Sequence, residues 1–168
     1  QAFMIGPDLM VIPRWATDVA QPEGTWQQIS LLENAEDDYQ CKLKVRGGSI
    51  LPVGPAVQST EQIPQKQLLT LIVVPNDNGY AEGMLYEDQG DGYEHLKGNF
   101  CLSKFVADKR GKNMVVKCIE QQGRTTYEKR LASVALITEG QTRYGFGDLV
   151  KGIKVVMDTA PASPIGID

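Results

Sequence analysis

The sequence predicts an all-β protein: an antiparallel β-sandwich region, formed by two small β-domains packed together, with little helix. Three observations predict it. Apolar and basic residues alternate at period two across residues 41–46. Turn formers punctuate the chain at short intervals, with 17 glycines and 9 prolines among 168 residues. No stretch carries a sustained helical stripe with capping residues. Short strands bounded by turn signals are the pattern of sandwiches and barrels. The expected division places a proximal domain at residues 1–79 and a distal domain at residues 80–168.

The elements follow in chain order. "FMIGPDLMVIP" is an apolar stretch broken at Gly6-Pro7, and "GTWQQISLL" is a strand behind a Pro-Glu-Gly turn signal. "ENAEDDY" is an acidic connector. In the next strand Cys41, Leu43 and Val45 share one face and Lys42, Lys44 and Arg46 the other, so it is half-buried. "QLLTLIVVP" is continuously apolar and suits a central strand buried on both faces. "NDNG" then predicts a tight hairpin turn, because Asn, Asp and Gly tolerate positive φ. "NFCLSKFV" and "NMVVKCI" flank the polar turn "ADKRGK". A hairpin centred between Lys109 and Arg110 sets Cys101 opposite Cys118 and Phe105 opposite Met114. Alternation then makes Cys101, Phe105, Met114, Val116 and Cys118 the core face, with Lys104, Asn113 and Lys117 behind. Cys101 and Cys118 are either buried small hydrophobes or a cross-strand disulfide, which needs Cβ atoms ~4 Å apart. Residues 133–138 and 152–158 are two further strands. The segment between them reads as a loop; its "GFG" is not followed by a helix and makes a poor phosphate cradle. The tail, residues 158–168, is expected to drape over the surface.

Composition narrows the function. Hydrophobic residues at 42% and charged residues at 23% describe an ordinary globular chain. A net charge of -4 without a long basic block argues against nucleic-acid binding. The longest apolar run, Leu68 to Val74, is too short to span a bilayer, so no membrane partner is expected. The opening residues lack a secretory pattern and an initiator Met, so the chain is expected to begin mid-protein. No compartment is indicated. Cys41, Cys101 and Cys118 are an odd number without C-x-x-C, which argues against a zinc ribbon or disulfide framework. His95 is the only histidine available to a metal site or a catalytic triad. No cofactor is expected.

"LYEDQGDGYEH", residues 85–95, gathers four acids, two glycines and His95. A calcium loop would need acids at alternate positions followed by a later Glu; Asp88 and Asp91 are three apart instead. A glycosidase pair would need two carboxylates across one bond, yet Glu87 and Asp88 are neighbours on a strand end and point to opposite faces. The acids therefore read as a turn, capping backbone amides or facing water. Arg46 before two glycines is either an anion grip or a point of close backbone approach, and the second is preferred. Trp15, Trp26, Tyr80, Tyr86 and Tyr93 are either a sugar-stacking platform or core and rim aromatics.

Four of these pieces, in this order, carry a resemblance: "FMIGPDLMVIP", "PEGTW", "VRGGSILP" and "LLTLIVVPNDNGYAEGMLYEDQGDG". Together they resemble the C-terminal β-domains of family 31 glycoside hydrolases, which include α-glucosidases and α-xylosidases. "TWQQIS", "CKLKV" and Gln89, which stands where a second Asp is common, depart from the family pattern and mark a divergent branch. The resemblance implies that a (β/α)₈ barrel upstream holds both catalytic carboxylates. It implies no catalytic, cofactor-binding or metal-ligating residue here. The implied role is non-catalytic: bracing the missing barrel of a parent that hydrolyses α-glycosidic bonds in oligosaccharides. Such a segment is expected to expose an apolar patch. The alternatives are a carbohydrate-binding module for α-glucans, and an unrelated all-β enzyme using Asp88, Asp91 and His95.

Overall fold

The computed structural model describes residues 1–31, 40–59 and 68–158. The chain is all-β. Its strands are β1 (Phe3–Ile5), β2 (Leu9–Ile12), β3 (Trp26–Ile29), β4 (Lys42–Arg46), β5 (Ser49–Val53), β6 (Leu69–Val74), β7 (Tyr80–Glu87), β8 (Cys101–Arg110), β9 (Asn113–Gln122), β10 (Leu131–Thr138), β11 (Gln141–Asp148) and β12 (Ile153–Val156). One turn of 3-10 helix, Glu94–Lys97, is the sole helical element among the described residues. The acidic connector at 33–39 and the tail beyond Asp158 lie outside the described residues.

Two sheets form. A small sheet has the order β1-β2-β4-β3, and an eight-stranded sheet has the order β11-β10-β6-β5-β7-β8-β9-β12. The large sheet curls until β11 lies against β12, nearly closing a barrel. Sheet membership changes at Gly47–Gly48, between β4 and β5, whereas position 79/80 falls inside the large sheet.

Alternation builds two cores. Leu69, Leu71 and Val73 of β6 point into the barrel beside Phe105, Met114, Val116, Val134 and Leu136. Ile72 and Val74 point outward and meet Ile29 and Val45 of the small sheet. β6 is thus buried on both faces, as its uninterrupted apolar run implied. Val45 is fully buried and Leu43 packs beside it, while Cys41 lies exposed.

Three local expectations are corrected. The turn at Asn76–Gly79 does close, with the Asn76 N–H donating to the Tyr80 carbonyl at 2.9 Å, but β6 and β7 are not paired. β5 inserts between them: the Gly48 N–H donates to Val74 O, and the Glu82 N–H donates to Gly48 O. Residues 141–148 form strand β11 rather than a loop, paired with β10 through a two-residue turn at Glu139 (φ 50) and Gly140 (φ 73). The hairpin β8–β9 turns at Gly111–Lys112, so Phe105 faces Cys118 instead of Met114, a shift of four residues. Gly111 supplies the positive φ of 60 that a two-residue turn requires. Alternation along each strand, not the pairing, sets these faces, so the expected core residues Cys101, Phe105, Met114 and Val116 are buried and Cys118 is half-buried. Cys101 and Cys118 do not face each other, and all three cysteines are free. Titration of the denatured chain with a thiol reagent is expected to count three thiols with or without prior reduction. A count of one without reductant would mean a disulfide.

Candidate functional site

The acidic turn that follows β7 is held by its own carboxylates. Asp88 accepts the Gly90 N–H at 2.8 Å and the Tyr86 hydroxyl at 3.0 Å. Those two bonds, the backbone one first, hold its carboxyl below the usual range. Asp91 accepts the Gly92 N–H at 2.7 Å. Glu94 accepts the Asn99 amide at 2.9 Å and pairs with Lys97. Gly90 and Gly92 both take positive φ, which bends the chain twice in three residues. His95 sits in the 3-10 turn, its ring 6.5 Å from that of Tyr93.

Glu87 turns the other way, as alternation requires, toward the mouth of the barrel. It accepts a hydrogen bond from the Arg130 guanidinium at 2.7 Å, and the Arg130 head lies 4.3 Å from the centre of the Tyr127 ring. Burial opposes the charge on Arg130, but Glu87 and Tyr127 together outweigh it and the net direction is up, so the guanidinium stays protonated. A β-bulge opposite Lys104/Phe105 turns Gln121 inward, where its amide exchanges two hydrogen bonds with the Tyr127 backbone. Asp148 accepts the N–H groups of Arg130 and Val150. Burial pulls its carboxyl up, the two amides pull it down, and the net direction is down. The order Asp148 imposes is therefore present above the ordinary carboxylate pKa and lost as pH falls through the lowered value.

This mouth cluster escaped sequence reasoning, because Glu87, Arg130 and Asp148 are far apart in the chain; the bulge that re-aims Gln121 has no sequence signal of its own. It clips the loop 123–130 onto the barrel end. Arg130→Met is expected to lower stability by roughly 1–2 kcal/mol, since it leaves the Glu87 carboxylate half-buried without its donor. Urea unfolding checks this; an unchanged midpoint would assign the cluster no structural weight.

Of the remaining candidates Arg46 is accounted for by packing, whereas Trp15 and Tyr93 are 77% and 78% exposed. Arg46 stacks on Trp26 at 5.4 Å and donates to the Glu23 carbonyl at 3.0 Å. The amides of Gly47 and Gly48 are spent on Thr25 and Val74, so no anion nest forms. The aromatics do not share a platform. Trp15 and Trp26 belong to the small-sheet region, and Tyr80 and Tyr86 lie on β7. Tyr86 stacks on Phe100 at 5.6 Å, and Tyr80 donates to Glu82.

One open cleft of about 1020 Å³ lies between β3, the Asn76–Gly79 turn and the β10–β11 turn. Asp77, Glu139 and Asp158 line it. Asp158 pairs with Lys112 at 3.2 Å, Asn76 closes its own turn, and Gln27 accepts the Gly140 N–H. Among the described residues no three His, Cys, Asp or Glu side chains converge in a way that could hold a metal ion.

No protein-family profile matches the chain. It is 32% identical over 123 residues to a probable maltase-glucoamylase 2 of Homo sapiens, covering 62% of this chain and 5% of that protein. An α-xylosidase of Saccharolobus solfataricus is 23% identical over 157 residues, covering 84% and 21%. The crystal structure of a family 31 α-glucosidase from Bacteroides thetaiotaomicron superposes with a TM-score of 0.64 at 37% identity, covering 76% of this chain and 20% of that one. The chain belongs to glycoside hydrolase family 31. It spans about a twentieth to a fifth of the length of these relatives. Within this family 31 chain, the stretch that carried the resemblance, residues 1–92, supplies the whole small sheet and β5 to β7 of the large one.

Proposed function

We propose that this chain is the C-terminal β-region of a family 31 α-glycosidase and braces a catalytic barrel carried elsewhere in the polypeptide. The parent hydrolyses α-glycosidic bonds in oligosaccharides, and this region contributes no catalytic, cofactor-binding or metal-ligating residue. One observation carries the reading: each acid of residues 87–94 is committed to a structural partner. Glycoside hydrolysis needs two carboxylates free to flank one bond, one of them kept protonated. Asp88 is instead held below its usual range. A two-part organisation is part of the proposal, in the form that sheet membership supports: a proximal part ending at Arg46 and a distal part starting at Ser49.

The purified 168-residue chain is expected to leave a nitrophenyl α-glucoside intact under conditions in which the longer family 31 chain turns it over. Turnover by the short chain would defeat the reading. Retardation of the short chain in a gel containing starch or dextran would replace bracing with glycan binding.

A further inference from the structure

We infer that Asp91–Gly92 is a site of spontaneous backbone modification. The Gly92 nitrogen closes on the Asp91 side chain to give a succinimide, and water reopens the ring to an isoaspartyl link. The fold thereby reverses the order the bare sequence sets, in which Asn78–Gly79 reacts first.

The sequence holds one Asn-Gly pair, at 78–79, and one Asp-Gly pair, at 91–92. In both the attacking nitrogen belongs to glycine, so no Cβ crowds it. In an unfolded chain the Asn pair is the faster, because a carboxylate is a poorer electrophile than a side-chain amide.

The structure treats the two pairs oppositely. Around Asn78–Gly79 the backbone is fastened on both sides. The N–H groups of Asn78 and Tyr80 donate to Asn76 Oδ1 at 3.0 and 3.1 Å. The Gly79 N–H donates to the Asn76 carbonyl at 2.8 Å, and the Gly79 carbonyl accepts the Lys109 N–H at 2.9 Å. Gly79 also lies hard against Lys109: a Cβ built on it would come within 2.7 Å of the Lys109 Cβ. The Gly79 nitrogen is thus committed to its own turn, and attack on the Asn78 side chain waits on that turn opening.

At Asp91–Gly92 the nitrogen already sits on the group it attacks. Its N–H donates to Asp91 Oδ1 at 2.7 Å. The carboxyl carbon lies one bond behind that oxygen, which brings it to the near-attack range of ~3–3.5 Å. Residues 88–93 are all exposed. Nothing lies within 4 Å of a Cβ built on Gly90 or Gly92, so no neighbour hinders rotation of the carboxyl from its hydrogen-bonded to its attacking aspect.

The step balances with water alone. The protonated Asp91 carboxyl loses its hydroxyl together with the Gly92 amide proton as water, and the Gly92 nitrogen bonds to Asp91 Cγ. Water then cleaves the bond between that nitrogen and the Asp91 main-chain carbonyl carbon. The chain now runs through Cβ and Cγ and is one atom longer. The added atom falls between β7 and the 3-10 turn, outside the β7–β8 ladder, which ends at Glu87 and Cys101.

Peptide mapping tests the proposal on the purified chain stored in warm buffer, native or in guanidinium chloride. Isoaspartate at residue 91 appears as a peptide of unchanged mass and shifted retention, and deamidated Asn78 as a heavier one. The ratio of residue 91 product to residue 78 product is expected to be at least roughly tenfold higher in the native chain than in denaturant. Asp91→Glu, whose side chain would have to close a larger ring, is expected to lose the residue 91 product. Absence of isoaspartate at residue 91 in the native chain would overturn the proposal. So would an equal ratio in the two states, which would leave the fold no part in choosing the site.

Discussion

Replacing Gly83 with alanine is expected to cost about 3 kcal/mol or more of stability, read as a lowered urea midpoint with an unchanged slope. Gly83 lies on β7 where β5 crosses closest. A Cβ there would overlap the Ile50 carbonyl oxygen and sit 2.9 Å from the Ile50 Cβ. Both obstacles belong to a strand held on its other side by β6, so neither swings away as a side-chain tip would. The only recourse is to part β5 from β7, and Ser49 opposite Glu82 is the single register pair joining them. Gly90 is the control. Its φ is +76 and nothing lies within 4 Å of a Cβ built on it, so Gly90→Ala carries only the left-handed strain of about 1 kcal/mol. Equal losses for the two variants would mean that β5 and β7 are not in close contact.

Phe105→Ala is expected to cost about 3–5 kcal/mol. Phe105 is 2% exposed and is the largest fully buried side chain of the barrel interior. It stands among Leu71, Met114, Val116, Val134 and Leu136, contributed by three strands, so no single element can slide in to fill the void. Interiors packed to crystal density collapse only partly around a deletion, and the unfilled remainder sets the upper end of the range. Differential scanning calorimetry checks it. A loss below about 1.5 kcal/mol would show a loosely filled interior able to repack.

Where side-chain alternation alone decided an outcome, the sequence was legible. Val45 inward and Lys44 outward, β6 buried on both faces, and the core side of β8 and β9 all follow from it. Faces survived where the register was off, because alternation along each strand sets them; past the bulge at Lys104/Phe105 the displacement grows from four residues to five. Register itself depends on which residue of the turn takes positive φ, and "KRGKN" admits more than one answer until Gly111 is seen to take it. β11 was hidden for a related reason. Its turn places Glu139, not Asn or Asp, in the left-handed region, and the strand carries two glycines of the kind that mark loops. The separation of β6 from β7 is a matter of which strand arrives between them, which no local pattern encodes. At the candidate site, the capping role of Asp88 and Asp91 was readable from their spacing to the glycines. The pairing of Glu87 with Arg130 was not, because it joins residues on separate strands and loops.

Gly145 and Gly147 bring β11 against β12: a Cβ at Gly145 would come within 2.8 Å of Val155, and one at Gly147 within 3.4 Å of Ile153. The two outermost strands approach too closely to admit a third, yet they share no ladder pairs. Each therefore shields the other's unpaired backbone from recruitment by a foreign strand. The closeness of this seam thus depends on the side chain absent at Gly145, where any Cβ would push β11 away from β12.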